Sequence, residues 1–278
     1  MIRVHKMASG IEGIVSRHRT SCSSIEMSNG QPAAARRLTA TAKHLYSGPI
    51  VDAHHHFLDP VRFQSHHNIL RDALRANAAP GTSSELPSFK PSDYHSQFHE
   101  AGVDVVKSVY MEVIADDFVE EVRYVQGLKD SESWAWAGAV IGCANPAAPD
   151  FEETLKALLS ASPLVRGIRW ILNWPGFITP TRPDKDYLKD PAFRAGFSLL
   201  EKYGLVFDLQ LNAQQLPEAA NLVAAFPGVP VCLEHIGMPV IWPADTDTPD
   251  NLALSAWREG MRQMAAIPHV TVQLDECE

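Results

Sequence analysis

The chain has 278 residues, of which 45% are hydrophobic, and its 24 Lys or Arg against 33 Asp or Glu give a net charge of −9. This acidic balance gives no basis for nucleic-acid binding, and no run reaches the ~18 apolar residues of a membrane span. Four scattered cysteines without a Cys-x-x-Cys pair argue against a thiolate metal site and favour a reducing compartment, which we expect to be the cytoplasm.

The first 48 residues differ from the rest of the chain in charge and pattern. They carry seven Lys or Arg and two Glu, a net of +5, which leaves −14 for residues 49–278. They are rich in Ser, Ala and Arg and show no apolar period. This composition is typical of a disordered extension, and it also fits a mitochondrial targeting peptide. We therefore assign the folded domain to residues 49–278.

From residue 49 onward, strand and helix patterns alternate. β-Branched content and length predict seven strands, which are Ile50–His54, Asp104–Val113, Ala135–Cys143, Val165–Leu172, Val206–Leu211, Val229–Glu234 and Val270–Leu274. The segments between them have helical spacing, as in Phe151, Leu155 and Leu158, and Asp150 is placed to cap that helix. This α/β order predicts a TIM-type (β/α)8 barrel, with about seven strands present and the C-terminal βα unit missing.

Three consecutive histidines, His54 to His56, lie at the end of the first predicted strand and directly after it. Because side chains alternate along a strand, His54 and His56 should share a face with Asp52, while His55 points the other way. In a parallel barrel the C-terminal strand ends build the active site, and an inward His-x-His can offer two imidazoles to one cation. The alternative is a polar cap on a strand that enters a loop.

Four segments in the same order resemble one family. They are IVDAHHHFLDP (50–60), VRGIRWIL (165–172), GLVFDLQLNAQQL (204–216) and LEHIGMP (233–239). They resemble the first, fourth, fifth and sixth strands of the amidohydrolase superfamily, specifically the amidohydrolase-related branch that includes lactonases. The resemblance implies a (β/α)8 barrel and hydrolysis of a small, usually carboxylated, ring ester or amide.

The resemblance also implies roles for individual residues. His54 and His56 match the family's metal-binding pair, and His235 matches the catalytic histidine that ends the sixth strand. Arg169 matches a substrate-binding arginine, whose guanidinium can bind a carboxylate bidentately. The alternatives are a hydrogen bond from His235 to a loop and a salt bridge of Arg169 inside the barrel.

The fifth strand lacks the histidine that a strict metal-dependent amidohydrolase would have. Its apolar residues alternate with Asp208, Gln210 and Asn212, and this polar row should face the barrel interior. Gln210 and Asn212 are candidates for orienting a substrate, but neutral amides are poor replacements for imidazole at a transition metal. We therefore expect at most one divalent ion, zinc, and expect it to be weakly bound.

The resemblance also implies a carboxylate on an eighth strand, where the family uses it as a metal ligand or as a base. Here the chain stops at Glu278, directly after the seventh predicted strand, and Asp275 could stand in for that carboxylate. The alternative is a solvated acid at a chain terminus. Without an eighth strand, the first and seventh strands keep unpaired edges, which predicts self-association and an activity impaired by truncation.

Three functions remain open from the sequence. The first is a hydrolase that opens a small carboxylated lactone with an activated water, such as a sugar lactone or a dicarboxylate lactone. The second is a zinc-dependent non-oxidative decarboxylase of the same superfamily, although the missing fifth-strand histidine counts against it. The third is a non-catalytic or weakly active barrel relative that binds a small molecule or a partner chain.

Overall fold

The computed structural model describes residues 48–63, 88–175, 185–239 and 252–273. In these residues lie seven strands: β1 (Ile50–His55), β2 (Val105–Met111), β3 (Ala137–Cys143), β4 (Val165–Arg169), β5 (Val206–Leu209), β6 (Val231–Leu233) and β7 (Val270–Val272). Each strand pairs in parallel with the next one along the chain, so the sheet order is β1 to β7. The seven predicted strands are confirmed, most of them with shorter ends.

Helices connect the strands in the predicted rhythm. They are α1 (Pro91–Glu100), α2 (Phe118–Asp130), α3 (Phe151–Ala161), α4 (Pro191–Tyr203), α5 (Leu216–Ala224) and α6 (Leu252–Ala265). Helix α1 was not predicted from the sequence, because its apolar pattern consists of little more than Tyr94 and Phe98, one turn apart. None of the described helices is both long enough and apolar enough to cross a membrane.

Three aspartates stand at α-helix N-caps in the described residues; Asp117 and Asp190 use their side chains there, and Asp150 does not. The carboxylate of Asp117 accepts hydrogen bonds from the amides of Val119 and Glu120 at 3.1 and 2.9 Å, which caps α2. Asp150 occupies the same position before α3 but makes no capping bond through its side chain, so that prediction is wrong. The reason is its backbone, which has ψ of 17° where Asp117 has an extended ψ of 102°.

The outer side of the sheet packs against the helices through large apolar side chains. Phe207 of β5 lies against Phe193 and Phe197 of α4, with ring centroids 6.1 and 5.1 Å apart. Leu209 and Leu211 are buried in the same core, as the predicted alternation of the fifth strand requires. This packing leaves the polar row of β5 for the inner side of the curled sheet.

The two ends of the sheet approach each other without forming a ladder in the described residues. There, β1 pairs with β2 and β7 pairs with β6. The side-chain amide of Gln273, directly after β7, nevertheless donates to the carbonyl of Ala53 in β1 at 3.2 Å. The seven strands therefore curl as in a TIM-type barrel, and an eighth βα unit is not among the described residues. The predicted extension 1–48 lies outside them as well, apart from residue 48.

An irregularity in β1 alters the predicted faces of the histidine strand. The β1–β2 register shifts between Asp52 and His55, which breaks the two-residue alternation. The Tyr94 hydroxyl of α1 donates to Asp52 at 2.6 Å, and the same tyrosine ring lies 4.6 Å from His55. Asp52 therefore faces the helices together with His55. The prediction that it shares a face with His54 and His56 is wrong.

Candidate active site

His54 and His56 meet at the carboxyl end of β1. Their Nε2 atoms are 3.1 Å apart, and their rings stand nearly perpendicular with centroids 4.9 Å apart. The Nδ1 atom of His54 lies 3.1 Å from Oε1 of Gln273, and Nδ1 of His56 lies 2.9 Å from the carbonyl oxygen of Met111. These contacts reach β2 on one side and the end of β7 on the other, so the pair lies on the inner side of the barrel.

The hydrogen-bond partners determine which nitrogen of each ring carries a proton. A carbonyl only accepts, so Nδ1 of His56 is the donor to Met111. Gln273 uses its NH₂ group on Ala53, which turns its Oε1 toward His54 and makes Nδ1 of His54 a donor as well. Burial, together with the neighbouring His54 and Arg169, lowers the pKa of His56 to about 3, so this ring is neutral at pH 7.

The two Nε2 lone pairs consequently converge on one point. Lone pairs 3.1 Å apart repel each other unless a proton or a metal ion lies between them. Both nitrogens could lie at the Zn–N distance of about 2.0–2.1 Å from a single ion. The Nδ1 contacts to oxygen are also of the kind that orients zinc-bound histidines. The pair therefore fits a divalent ion.

A complete metal centre is not present in the described parts of the chain. No group of three or more His, Cys, Asp or Glu side chains there has the arrangement of a metal site. Asp275, the predicted replacement for the family's carboxylate, lies outside the described residues. What the described residues offer is a site with two histidine ligands, and so few ligands hold an ion weakly.

Arg169 is buried at the end of β4 between two carboxylates. Its Nε donates to Oε1 of Glu112 at 2.7 Å, and its Nη1 donates to Oε2 of Glu234 at 3.2 Å. Further bonds reach the carbonyl oxygen of Glu112 at 2.6 Å and Oε1 of Gln210 at 3.2 Å. Burial alone would lower the pKa of Arg169, but Glu234 and Glu112 outweigh it and raise the pKa above its ordinary value. With both glutamates ionised, the three groups carry a net charge of −1.

Glu234 connects this ion network to the histidines. One carboxylate oxygen, Oε1, lies 3.9 Å from Nδ1 of His54 and has no hydrogen-bond partner within the described part of the chain. The other oxygen, Oε2, lies 3.6 Å from Nε2 of His235. The His235 ring is in turn 5.4 Å from that of His54, so the three predicted histidines come together.

The backbone at His235 is held in an uncommon conformation. His235 and Ile236 have φ values of 51° and 54°, in the left-handed region that non-glycine residues rarely adopt. The amide of Ile236 donates to the carbonyl of Gln273 at 3.1 Å, which helps to hold this turn. Strained backbone of this kind is commonly found where a side chain must be aimed at a site.

The two predicted amide side chains have different surroundings. Gln210 contacts the guanidinium of Arg169 and therefore belongs to the histidine and arginine cluster. Asn212 lies further along, where it accepts from Asn173 at 2.7 Å and donates to the carbonyl of Pro175 at 2.8 Å. Asn212 thus braces the loop after β4. Its role in substrate binding stays a prediction, as does that of Gln210.

His55 points away from this cluster, as predicted. Its Nε2 lies 3.0 Å from the hydroxyl of Ser108, which also accepts from the Trp134 indole at 2.9 Å. Burial, assisted by the neighbouring His56, lowers the pKa of His55 to about 3. Four aromatic rings surround it, those of Phe57, Tyr94, Tyr110 and Trp134. His55 is therefore a neutral core residue.

Three residues of the cluster were not among the site residues predicted from the sequence. Glu112 directly follows β2, Glu234 directly follows β6 and Gln273 directly follows β7, so all three stand at carboxyl ends of strands. Each is only 1% exposed. Their position at strand ends could have identified them from the sequence, because polar residues there line the mouth of a parallel barrel.

Fold and site together define a TIM-barrel protein with a histidine-rich cluster at the carboxyl ends of its strands. More particularly, the chain belongs to the Amidohydrolase family, whose model matches residues 51–277. This match confirms the family that the strand motifs indicated.

Individual relatives are distant. Protein y4mH of Sinorhizobium fredii, which is uncharacterised, is 26% identical over 233 residues, 81% of this chain and 72% of its own. L-fucono-1,5-lactonase of Burkholderia multivorans is 27% identical over 136 residues, 49% of this chain and 42% of its own.

Solved structures agree with the fold. An amidohydrolase of Burkholderia multivorans with bound zinc superposes with a TM-score of 0.59 at 22% identity, covering 80% of this chain and 68% of that one. Amidohydrolase 2 of Bifidobacterium longum subsp. infantis gives 0.53 at 19% identity, covering 81% and 72%. At these identities the likeness establishes the fold alone.

Proposed function

We propose that this chain is a hydrolase that opens a small lactone. The observation that carries the proposal is the convergence of the His54 and His56 Nε2 atoms, 3.1 Å apart, beside His235 and a buried carboxylate–guanidinium network. The partial similarity to L-fucono-1,5-lactonase supports a cyclic ester of the sugar-lactone type as the substrate class.

In the proposed reaction, water attacks the ester carbonyl and the ring C–O bond breaks, which yields a hydroxy acid. A zinc ion held weakly by His54 and His56 would polarise the carbonyl as a Lewis acid when bound; the zinc in a structural relative supports this choice of ion. His235 takes the proton from the attacking water at Nε2 and returns it to the leaving ring oxygen. Glu234, 3.6 Å from that nitrogen, stabilises the imidazolium formed in between. Asp275 stays the second candidate for the base.

A carboxylate on the substrate would approach the guanidinium of Arg169, which already donates hydrogen bonds to other residues. Arg169 makes four hydrogen bonds, to Glu112, Glu234 and Gln210, so a substrate carboxylate would have to displace one of them. A neutral sugar lactone needs no such exchange, and its hydroxyls can bind to Gln210. We therefore expect neutral sugar lactones to be better substrates than carboxylated ones. Carboxylate binding by Arg169 stays a prediction.

The test is lactone hydrolysis, followed by proton release, on a panel of neutral sugar lactones and dicarboxylate lactones. We expect the double variant His54→Asn/His56→Asn to lower kcat/KM by at least about 100-fold, because both convergent nitrogens are replaced. His99→Asn is the control, since His99 is exposed on α1 and should leave activity unchanged.

Two results would contradict the proposal. Release of CO₂ from an aromatic acid, with every lactone intact, would identify the decarboxylase alternative. Binding of a sugar lactone without turnover, at any zinc concentration, would identify a non-catalytic barrel.

A further inference from the structure

Gln273 is a fully buried residue whose four hydrogen-bonding groups reach three parts of the barrel. Its backbone amide donates to the carbonyl of Leu233 in β6 at 2.8 Å, and its backbone carbonyl accepts from Ile236 at 3.1 Å. Its side-chain NH₂ donates to the carbonyl of Ala53 at 3.2 Å, and its Oε1 accepts from Nδ1 of His54 at 3.1 Å.

These bonds tie together the two segments that carry the site histidines. The backbone of Gln273 holds the turn in which His235 lies, next to Ile236. Its side chain crosses from the end of β7 to β1, where it satisfies a strand carbonyl and a histidine nitrogen together. The sequence separation between Gln273 and His54 is 219 residues, so the contact depends on the curl of the whole sheet.

The fixed orientation of the Gln273 amide has a chemical consequence for His54. Because the NH₂ group is engaged by Ala53, only the carbonyl oxygen is directed at His54. Of the two neutral forms of the imidazole, only the Nδ1–H tautomer can donate to that oxygen, and this tautomer keeps the lone pair on Nε2. Without Gln273, the nearby Oε1 of Glu234 lies 3.9 Å from Nδ1, which is beyond hydrogen-bond distance. His54 would then gain more by protonating Nε2 and donating to Nε2 of His56, 3.1 Å away.

We propose that Gln273 is a positioning residue that fixes the tautomer of His54 and aligns it with the His235 turn. It touches neither substrate nor ion, and it acts by keeping the His54 Nε2 atom unprotonated and directed at the point it shares with His56. The importance of this alignment for catalysis rests on the proposed lactonase function. The tautomer of His54 does not depend on that function.

The test compares Gln273→Met and Gln273→Glu with the wild type. Methionine keeps the length of the side chain without an oxygen acceptor, whereas glutamate keeps an acceptor for Nδ1–H of His54 and loses the donor to Ala53. The His54 tautomer is read from ¹⁵N-histidine NMR of the zinc-free protein, with the signal assigned by its loss in His54→Asn. Affinity for zinc alone is measured by competition with a chromophoric chelator.

We expect His54 in Gln273→Met to change from the Nδ1–H to the Nε2–H form and zinc affinity to fall about 10–100-fold. Gln273→Glu should retain the Nδ1–H tautomer. The matched control is Gln263→Met, since the described hydrogen bonds of the Gln263 side chain reach only Glu259 of its own helix and the variant should change neither quantity.

An unchanged Nδ1–H tautomer in a folded Gln273→Met variant would overturn the proposal. If that variant does not fold, Gln273→Glu decides, because loss of the Nδ1–H form despite a remaining acceptor is equally contradictory. If the wild type binds no zinc, the His54 tautomer alone supports or overturns the proposal. A tautomer change as expected in a protein that hydrolyses no lactone would overturn the proposed function and leave the role of Gln273 intact.

Discussion

At the residue scale, the buried ion network has the largest energetic consequences. The Arg169 guanidinium is 5% exposed, and the side chains of Glu112 and Glu234 are 2% and 0% exposed. Charges so far from water are tolerated because each has partners at 2.7–3.2 Å. The arginine is thus the counter-charge that allows two carboxylates to stand beneath the histidines.

We expect Arg169→Met to lower the free energy of unfolding by about 3–5 kcal/mol, because it leaves two buried carboxylates uncompensated. Adding Glu112→Gln should recover part of this loss, since one of the two charges is then removed. Urea denaturation measures both variants. Arg262→Met is the control, because Arg262 and Glu259 form an exposed ion pair at 3.1 Å that should contribute less than about 1 kcal/mol. An equal loss of unfolding free energy in Arg169→Met and Arg262→Met would contradict the stabilising role of Arg169.

At the element scale, α2 and α3 offer a direct comparison of two N-caps. Both begin after an aspartate, but only Asp117 has the extended backbone that directs its carboxylate to the first amides of the helix. The sequence correctly predicted the N-terminus of α3, but the predicted side-chain hydrogen bond of its cap is absent. The reason is that this bond depends on the ψ angle that the preceding loop imposes.

We predict that Asp117→Ala lowers the free energy of unfolding by about 1 kcal/mol, through the loss of two hydrogen bonds to backbone amides. Asp150→Ala is the matched variant and should cost only a few tenths of a kcal/mol, from the helix dipole alone. Thermal or urea unfolding of the two variants side by side checks the difference. An equal cost would show that Asp150 caps α3 in solution.

At the scale of the whole molecule, the two outer strands of the described sheet are where we propose that a second chain pairs. Within the described residues, β1 and β7 each have a ladder partner on one side only. Val51 of β1 is 51% exposed, which adds an apolar side chain near one of these edges. Edges of this kind favour pairing with a second chain.

The proposed self-association through the edge of β1 predicts a sedimentation coefficient that rises with protein concentration. Val51→Lys should suppress this rise, because a charge on an edge strand opposes pairing. Val61→Lys is the control, since Val61 is 85% exposed but lies outside the strands. A species that stays monomeric at all concentrations, or equal effects of the two lysines, would contradict the prediction.

The sequence by itself determined the order and type of most elements and the identity of the histidine cluster. Strands and helices followed from local apolar periods, His54 and His56 followed from their place at the end of a strand, and His235 followed from the resemblance of its motif to the amidohydrolase sixth strand. These features are local, because backbone alternation and the position of a strand end depend on residues close together in the chain. The helix α1 was missed for the same reason, since its local pattern is weak.

Only the tertiary structure decided which hydrogen bonds and ion pairs connect the residues of the cluster. The irregularity in β1 that turns Asp52 toward the helices, the engagement of Arg169 by Glu112, and the hydrogen bond between His54 and Gln273 all depend on contacts between different strands. The physical reason is that a buried polar group must find its partner wherever the curl of the sheet brings one within about 3 Å. Local sequence pattern does not encode that distance, and the curl of the barrel sets it.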